Sequence, residues 1–236
     1  RRSFYCCLSV RANFVGDVAL ASATDTNIVG SLQGANVAIT AGNSATLGNV
    51  QANAALSVSA NGLLGAGDVT LAGAGSSFGA ATFSAARDLT ISGSFAGNST
   101  LDAVAQRNVN ANGAVNAVGD ASLQARTGTL STSASLSTNG NLALAAGQTL
   151  ALGSAQTSAM GTATLTAGKN VTLAGAFVAN DGTIAAGVDM TGSGAVAFEH
   201  AATLVAGRDV NLSGVLEAGQ MQVQAGNSAT LANVES

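Results

Sequence analysis

The side chains best suited to chemistry in this sequence are few and widely separated. His200 is the only histidine, so a histidine-based catalytic triad or a histidine-rich metal site cannot be assembled. Glu199 precedes it, but neighbours on a strand face opposite ways, which favours an exposed loop histidine over a His–Glu pair. The two cysteines, Cys6 and Cys7, are adjacent and have no evident partners for a metal. We therefore predict a protein that is not an enzyme, with no catalytic residue, metal or cofactor.

A row of basic residues is the one charge pattern with a candidate function. The sequence predicts that its members occupy equivalent turn positions: Arg87, Arg107, Arg126, Lys169 and Arg208. Such a row could form a basic stripe that binds sulfated glycans or acidic surfaces. It could equally be a solvated corner, and the sequence favours this second interpretation because an aspartate directly follows two of the arginines and would cancel much of their field.

Composition excludes several classes of protein. The chain has 236 residues, of which 8% are charged, compared with about a quarter in an ordinary soluble domain. Hydrophobic residues make up 47%, whereas disorder requires low hydrophobicity and high charge. Proline is absent and there are 30 glycines, which excludes collagen. The net charge of −4 argues against nucleic acid as a partner. No continuously apolar stretch is long enough to predict a transmembrane helix.

An internal repeat of about 20 residues accounts for most of the chain. The segment 41–47, AGNSATL, recurs unchanged at 225–231, and weaker copies stand at 167–173 and 206–212. The residue after each turn marks the series: Ala45, Val69, Leu89, Val109, Leu130, Leu150, Val171, Met190, Val210 and Ala229. With two earlier copies, at Val18 and Val37, the sequence contains about eleven units. Val69 follows Ala45 by 24 residues, the one notable insertion.

Within each unit the apolar residues alternate with period two, which predicts short strands. Around Lys169, Leu165, Val171 and Phe177 take inward positions, and Leu204 and Val210 do so two units later. A glycine row from Gly73 to Gly214, with Ser133 as its exception, predicts a bend that needs unusual backbone angles. An inward row follows it: Phe95, Val115, Ala155, Phe177, Val196 and Leu216.

These features together predict an all-β fold, a right-handed parallel β-helix of about eleven coils of about 20 residues. The predicted repeat domain spans 14–236. Residues 1–13, rich in basic, aromatic and cysteine residues, are expected to be a leader or non-repeat segment.

The recurring Ala-Gly-[Arg/Lys/Asn]-[Asp/Asn/Ser]-[Val/Ala]-x-Leu blocks resemble the repeats of the filamentous haemagglutinin family. The resemblance implies a structural or adhesive rod segment of a secreted bacterial exoprotein of a two-partner secretion system, either an adhesin or a contact-dependent inhibition stalk. It implies as partners neighbouring coils of a longer chain, an outer-membrane transporter during secretion, and a receptor or glycan on host cells or other bacteria. The family's Asn-Pro-rich secretion signature is absent, so the chain is expected to be shaft.

Two other functions remain open as alternatives. A carbohydrate-active β-helix enzyme would need clustered acidic and basic residues and long loops, whereas these units are short and regular. An ice-binding solenoid would need a flat Thr-x-Thr array. The outward pairs of the first strand, such as Thr164/Thr166 and Gln222/Gln224, do not form one.

Overall fold

The repeats form a parallel β-solenoid of about eleven coils in the computed structural model, which describes residues 8–235. Each complete coil contains three strands, which define three faces, A, B and C, in chain order. Each strand pairs in parallel with its copies in the coils before and after, so that Leu89 lies beside Val69 on one side and Val109 on the other. The predicted fold class is confirmed as all-β, with no helix among the described residues and hence none that could span a membrane.

Face A has the longest regular strands: β2 (Val18–Ser22), β4 (Val37–Ala41), β6 (Leu56–Ala60), β9 (Ala81–Ala85), β12 (Leu101–Ala105), β15 (Ala121–Ala125), β18 (Leu142–Ala146), β21 (Thr162–Ala167) and β24 (Asp181–Ala186). Face B has β7 (Val69–Leu71), β10 (Leu89–Ile91), β13 (Val109–Ala111), β16 (Leu130–Thr132), β19 (Thr149–Leu152), β22 (Asn170–Leu173) and β25 (Met190–Gly192). Face C has β8 (Gly75–Ser77), β11 (Phe95–Gly97), β14 (Val115–Ala117), β17 (Leu136–Thr138), β20 (Thr157–Ala159) and β23 (Phe177–Ala179).

The first and last described coils have longer strands that continue around a corner. β1 (Leu8–Asn13), β3 (Thr26–Gly34), β5 (Ala45–Ala52) and β28 (Ser228–Glu235) each cover faces B and C. β26 (Val196–Ala206) covers C and A, and β27 (Asp209–Ala225) covers all three faces. β1 lies within the predicted leader, yet it pairs with β3 from Leu8 opposite Ile28 to Asn13 opposite Gln33. This pairing places residues 8–13 beside the second coil, while Cys6 and Cys7 lie outside the described residues.

The core is a column of alternate side chains that point into the coil. The five residues predicted to face inward, Leu165, Val171, Phe177, Leu204 and Val210, are all fully buried, which confirms the alternation. Aromatic rings form two contacting pairs in the core. Phe83 and Phe95 meet edge to face with centroids 5.4 Å apart, and Phe177 and Phe198 meet at 5.6 Å.

One member of the predicted inward row on face C is wrong. Thr157, and not Ala155, lies between Leu136 and Phe177. The corner before β20 has four residues, 153–156, where other coils have three, so the chain reaches face C one residue later. A threonine hydroxyl is consequently buried in the apolar stack.

The glycine row at the corner between faces B and C has a different cause from the one predicted. None of its members is among the positive-φ glycines, so unusual backbone angles do not explain the row. The reason is the close approach of consecutive coils. A Cβ at Gly113 would overlap the carbonyl oxygen of Gly93, and a Cβ at Gly214 would overlap that of Gly194.

Positive φ angles are instead concentrated in the insertion. The segment 61–68 joins β6 to β7, and it contains Gly62, Gly65 and Gly67 at φ values of 67°, 93° and 84°. Glycine adopts this left-handed backbone at little steric cost. The loop holds Leu63 and Leu64 out from the stack, each about 70% exposed.

Candidate functional site: the basic corner

The basic row lies at the corner between faces A and B, where three residues normally separate the two strands. Arg87, Arg107, Lys169 and Arg208 take the middle place of this corner. The N–H of Arg107 donates to the carbonyl of Arg87, and Lys169 and Arg208 are connected in the same way through Val188. Arg126 is not equivalent to them, contrary to the prediction. Its corner has four residues, and Arg126 takes the first place, stacked on Gln106.

Three of the arginines are bound to a carboxylate of the preceding coil. Each guanidinium makes two hydrogen bonds to one aspartate, and the Nε–Oδ1 distances are 2.8 Å for Arg87–Asp68, 2.9 Å for Arg107–Asp88 and 2.8 Å for Arg208–Asp189. The second bond of each pair, from Nη2 to Oδ2, completes a bidentate contact. Bidentate arginine–carboxylate contacts are among the stronger charge-assisted hydrogen bonds.

These contacts shift the pKa values of the groups involved. The hydrogen bond from Arg107 is the largest cause of a lowered pKa at Asp88, whose carboxylate also accepts from the N–H of Asn108. The same bonds, followed by the charge of the aspartate, raise the pKa of Arg87, Arg107 and Arg208. The arginine charges therefore act mainly within the stack, as the solvated-corner interpretation expects.

Asparagine replaces arginine in this arrangement elsewhere in the stack. The amide of Asn43 donates to Asp25 at 2.7 Å, and that of Asn227 donates to Asp209 at 2.8 Å. The residue after the middle place completes the pattern, because its side-chain oxygen accepts the N–H of its counterpart one coil later. Asp25 accepts from Ser44 in this way, at 2.9 Å.

Four places in the recurring motif thus have a structural role at this corner. The glycine permits close approach, since a Cβ at Gly207 would overlap the carbonyl oxygen of Gly187. The Arg or Asn binds the carboxylate of the coil before, and the Asp or Asn accepts a backbone N–H from the coil after. The final leucine enters the core, as Leu173 does.

Arg126 and Lys169 differ from the other three cations because neither forms an ion pair with any residue in 8–235. The preceding coils offer Asn108 and Thr149 where an aspartate would be needed. Arg126 instead lines a cleft of about 290 Å³ beside the insertion loop, with Asn61, Ser84 and Gln106 as further polar walls. A guanidinium, two amides and a hydroxyl could bind an anionic or polyhydroxylated group there.

His200 is exposed as predicted, but it lies within β26 and not in a loop. The strand register shifts between Phe198 and Ala201, so both Glu199 and His200 face solvent. The imidazole Nδ1 is 3.5 Å from a carboxylate oxygen of Asp181, which is partly exposed. Residues 8–235 contain no group of three or more His, Cys, Asp or Glu side chains placed to hold a metal ion.

A hydroxyl-rich column on face B was missed by the sequence analysis, which compared only the pairs on face A. Thr70, Thr90, Asn110 and Ser131 occupy the single outward position of successive B strands. Ser131 donates to Asn110 at 2.9 Å, which connects two adjacent coils on this face. The recurrence of Thr, Asn or Ser as the second residue after most turns was the signal available.

No protein-family model, curated protein or solved structure matches the chain. The arrangement itself is that of a β-helix repeat protein, compatible with a rod.

Proposed function

We propose that this chain is a rod segment of a secreted bacterial surface exoprotein of filamentous-haemagglutinin type, which mediates adhesion to host cells or other bacteria without catalysis. The observation that carries the proposal is the recurring motif, whose arginine, asparagine and aspartate side chains bind one coil to the next at most of the basic corners. Such a motif maintains a long stack in register. The same residues carry the resemblance to filamentous haemagglutinin repeats that is seen in the sequence.

Adhesion can be tested with fluorescent beads that display the folded segment. We expect more of these beads than albumin-coated beads to bind to epithelial or bacterial cells, and an excess of soluble segment to compete. Binding equal to that of albumin beads, unaffected by competitor, would contradict an adhesive role for this segment.

Secretion is tested separately, because a shaft segment could be exported without adhering. The segment would be placed after the secretion domain of a two-partner system and expressed with or without the matching outer-membrane transporter. We expect export that depends on the transporter, since coils can form one after another once the chain has crossed. Retention in cells that contain the transporter would refute this route.

Within the basic corner, we assign contact with an anionic glycan to Arg126 and Lys169, since both lack an acidic partner in the described stack. The double variant Arg126→Ala/Lys169→Ala should reduce bead adhesion while leaving the circular dichroism spectrum unchanged. Adhesion that persists in this variant would show that the row is only a solvated corner.

A further inference from the structure

The corner between faces C and A has an alternating column of apolar and amide side chains. The first residue after each C strand is, in successive coils, Phe78, Asn98, Val118, Asn139 and Met160. Hydrogen bonds from the N–H of each of these residues to the coil before place them on one ladder. The three apolar members are 64%, 52% and 65% exposed, although large side chains of these types are usually buried.

The pattern of apolar and amide residues in this column is symmetric about Val118. Asn98 and Asn139 stand one coil away on either side, and Phe78 and Met160 stand two coils away. Beyond them, Asn53 and Asn180 also follow directly after their C strands. At about 4.8 Å per coil, the apolar side chains are spaced about 10 Å apart.

This symmetry fits a partner that presents the same column in the reverse direction, which is a second copy of the chain. We propose that two rods pair side by side and antiparallel along this corner, about a two-fold axis at Val118. The axis places Val118 against its own copy, Phe78 against the partner's Met160, and Asn98 against the partner's Asn139. Isologous contacts of this kind are the commonest in soluble homo-oligomers.

The chemistry of each contact suits this register. Apolar side chains face apolar side chains, which removes three exposed groups of each rod from water. Asparagine amides face asparagine amides, and each has both donors and an acceptor to exchange. A shift by one coil would place every apolar side chain opposite an amide and lose both kinds of contact.

Charge on this corner is low enough for two copies to approach. Among the corner residues of the five coils, only Asp120 is charged, and it lies two residues after Val118. The axis brings the Asp120 carboxylates of both copies to the same region, so their repulsion should weaken pairing at low ionic strength and be screened by salt. The contact involves few side chains, which places it among small, reversible interfaces. The proposal does not depend on the adhesive role or on the secretion route.

Cysteine cross-linking tests the axis directly. In a Cys6→Ser/Cys7→Ser background, Val118→Cys should form a disulfide-linked dimer under mild oxidation at least ten times faster than Thr164→Cys. Thr164 is an exposed residue on face A and controls for random collision. Equal rates for the two variants would overturn the proposal.

The direction of the rods is tested by a mixture. Asn98→Cys alone should cross-link slowly, whereas Asn98→Cys mixed with Asn139→Cys should give a heterodimer as fast as Val118→Cys does alone. Rapid self-linking of Asn98→Cys would indicate a parallel pair and would refute the two-fold arrangement. If the Val118→Cys variant links instead to an unrelated protein added as a competitor, the surface is non-specific and the proposal fails.

Discussion

Removing a buried hydroxyl should make this protein more stable. Thr157 is 1% exposed on face C, and its Oγ1 has no hydrogen-bond partner among the described residues. Burying an unsatisfied polar group costs about 1–3 kcal/mol. Thr157→Val replaces the hydroxyl by a methyl group of similar shape, so we expect the free energy of unfolding to rise by about 1–3 kcal/mol.

Thr138 provides the matched control, because it is equally buried on the adjacent strand of the same face. Its hydroxyl donates to the carbonyl of Gly119 and accepts the N–H of Gly140 at 3.1 Å. Thr138→Val breaks both bonds and leaves their partners unpaired, so it should lower the free energy of unfolding by about 1–3 kcal/mol.

The assay for this pair is urea unfolding followed by far-ultraviolet circular dichroism, since the chain has no tryptophan to report by fluorescence. The two variants should move the midpoint in opposite directions. If Thr157→Val moves it down as Thr138→Val does, the Thr157 hydroxyl has a bonding partner, such as an internal water, and the reasoning is wrong.

Three further outcomes follow from the stack. Leu204→Asp places an unpaired charge in the core and should lower the free energy of unfolding by several kcal/mol. Thr164→Asp, on the exposed side of face A, should lower it far less. Equal losses of stability in thermal melts would refute the assignment of these residues to opposite sides of the strand. Gly113→Ala should unfold at lower urea than Gly16→Ala, because a Cβ meets a backbone carbonyl at the first and nothing within 4 Å at the second. Folding lowers the pKa of Asp88, so the ionised carboxylate stabilises the fold at pH values above its ordinary pKa of 3.8. This stabilisation is lost as the pH falls through the pKa of the folded state. In Asp88→Asn the free energy of unfolding should therefore fall less steeply as the pH is lowered into the acid range. An unchanged pH dependence would contradict the assigned ion pair.

Features that repeat in every coil could be predicted from the sequence, because each is encoded about eleven times. Leu165 and Leu204 are buried because alternation on a strand fixes the side of every second residue. Lys169 and Arg208 take the same corner place because each follows the end of its face-A strand by two residues. Period and alternation therefore fixed both the number of coils and the residues of the core.

Features that depend on a single extra residue could not be predicted. The coils that contain Arg126 and Thr157 are both longer by one residue, and repeat length does not tell which corner takes the addition. In one coil the additional residue falls between faces A and B, which displaces Arg126 from the basic row. In the other it falls between faces B and C, which puts Thr157 into the core. The strand pairing between coils shows which corner holds the extra residue, because only one placement keeps the strands before and after that corner paired.

These displacements also show where the fold tolerates change. Strand residues pair with the coils above and below and so depend on two neighbours, whereas a corner residue can be added without altering either strand, as it is beside Arg126. A surface feature at a corner is therefore a column of residues about 20 positions apart, and it is found by comparing one place in successive coils. At the basic corner, arginines in one column bind aspartates of the adjacent column in the coil before, whereas at the corner of Val118 apolar and amide residues alternate within a single column. The first pattern connects coils within one rod. The second leaves its apolar side chains unpartnered within that rod, and it is for this reason that a contact between rods is expected at the corner of Val118 and not at the basic corner.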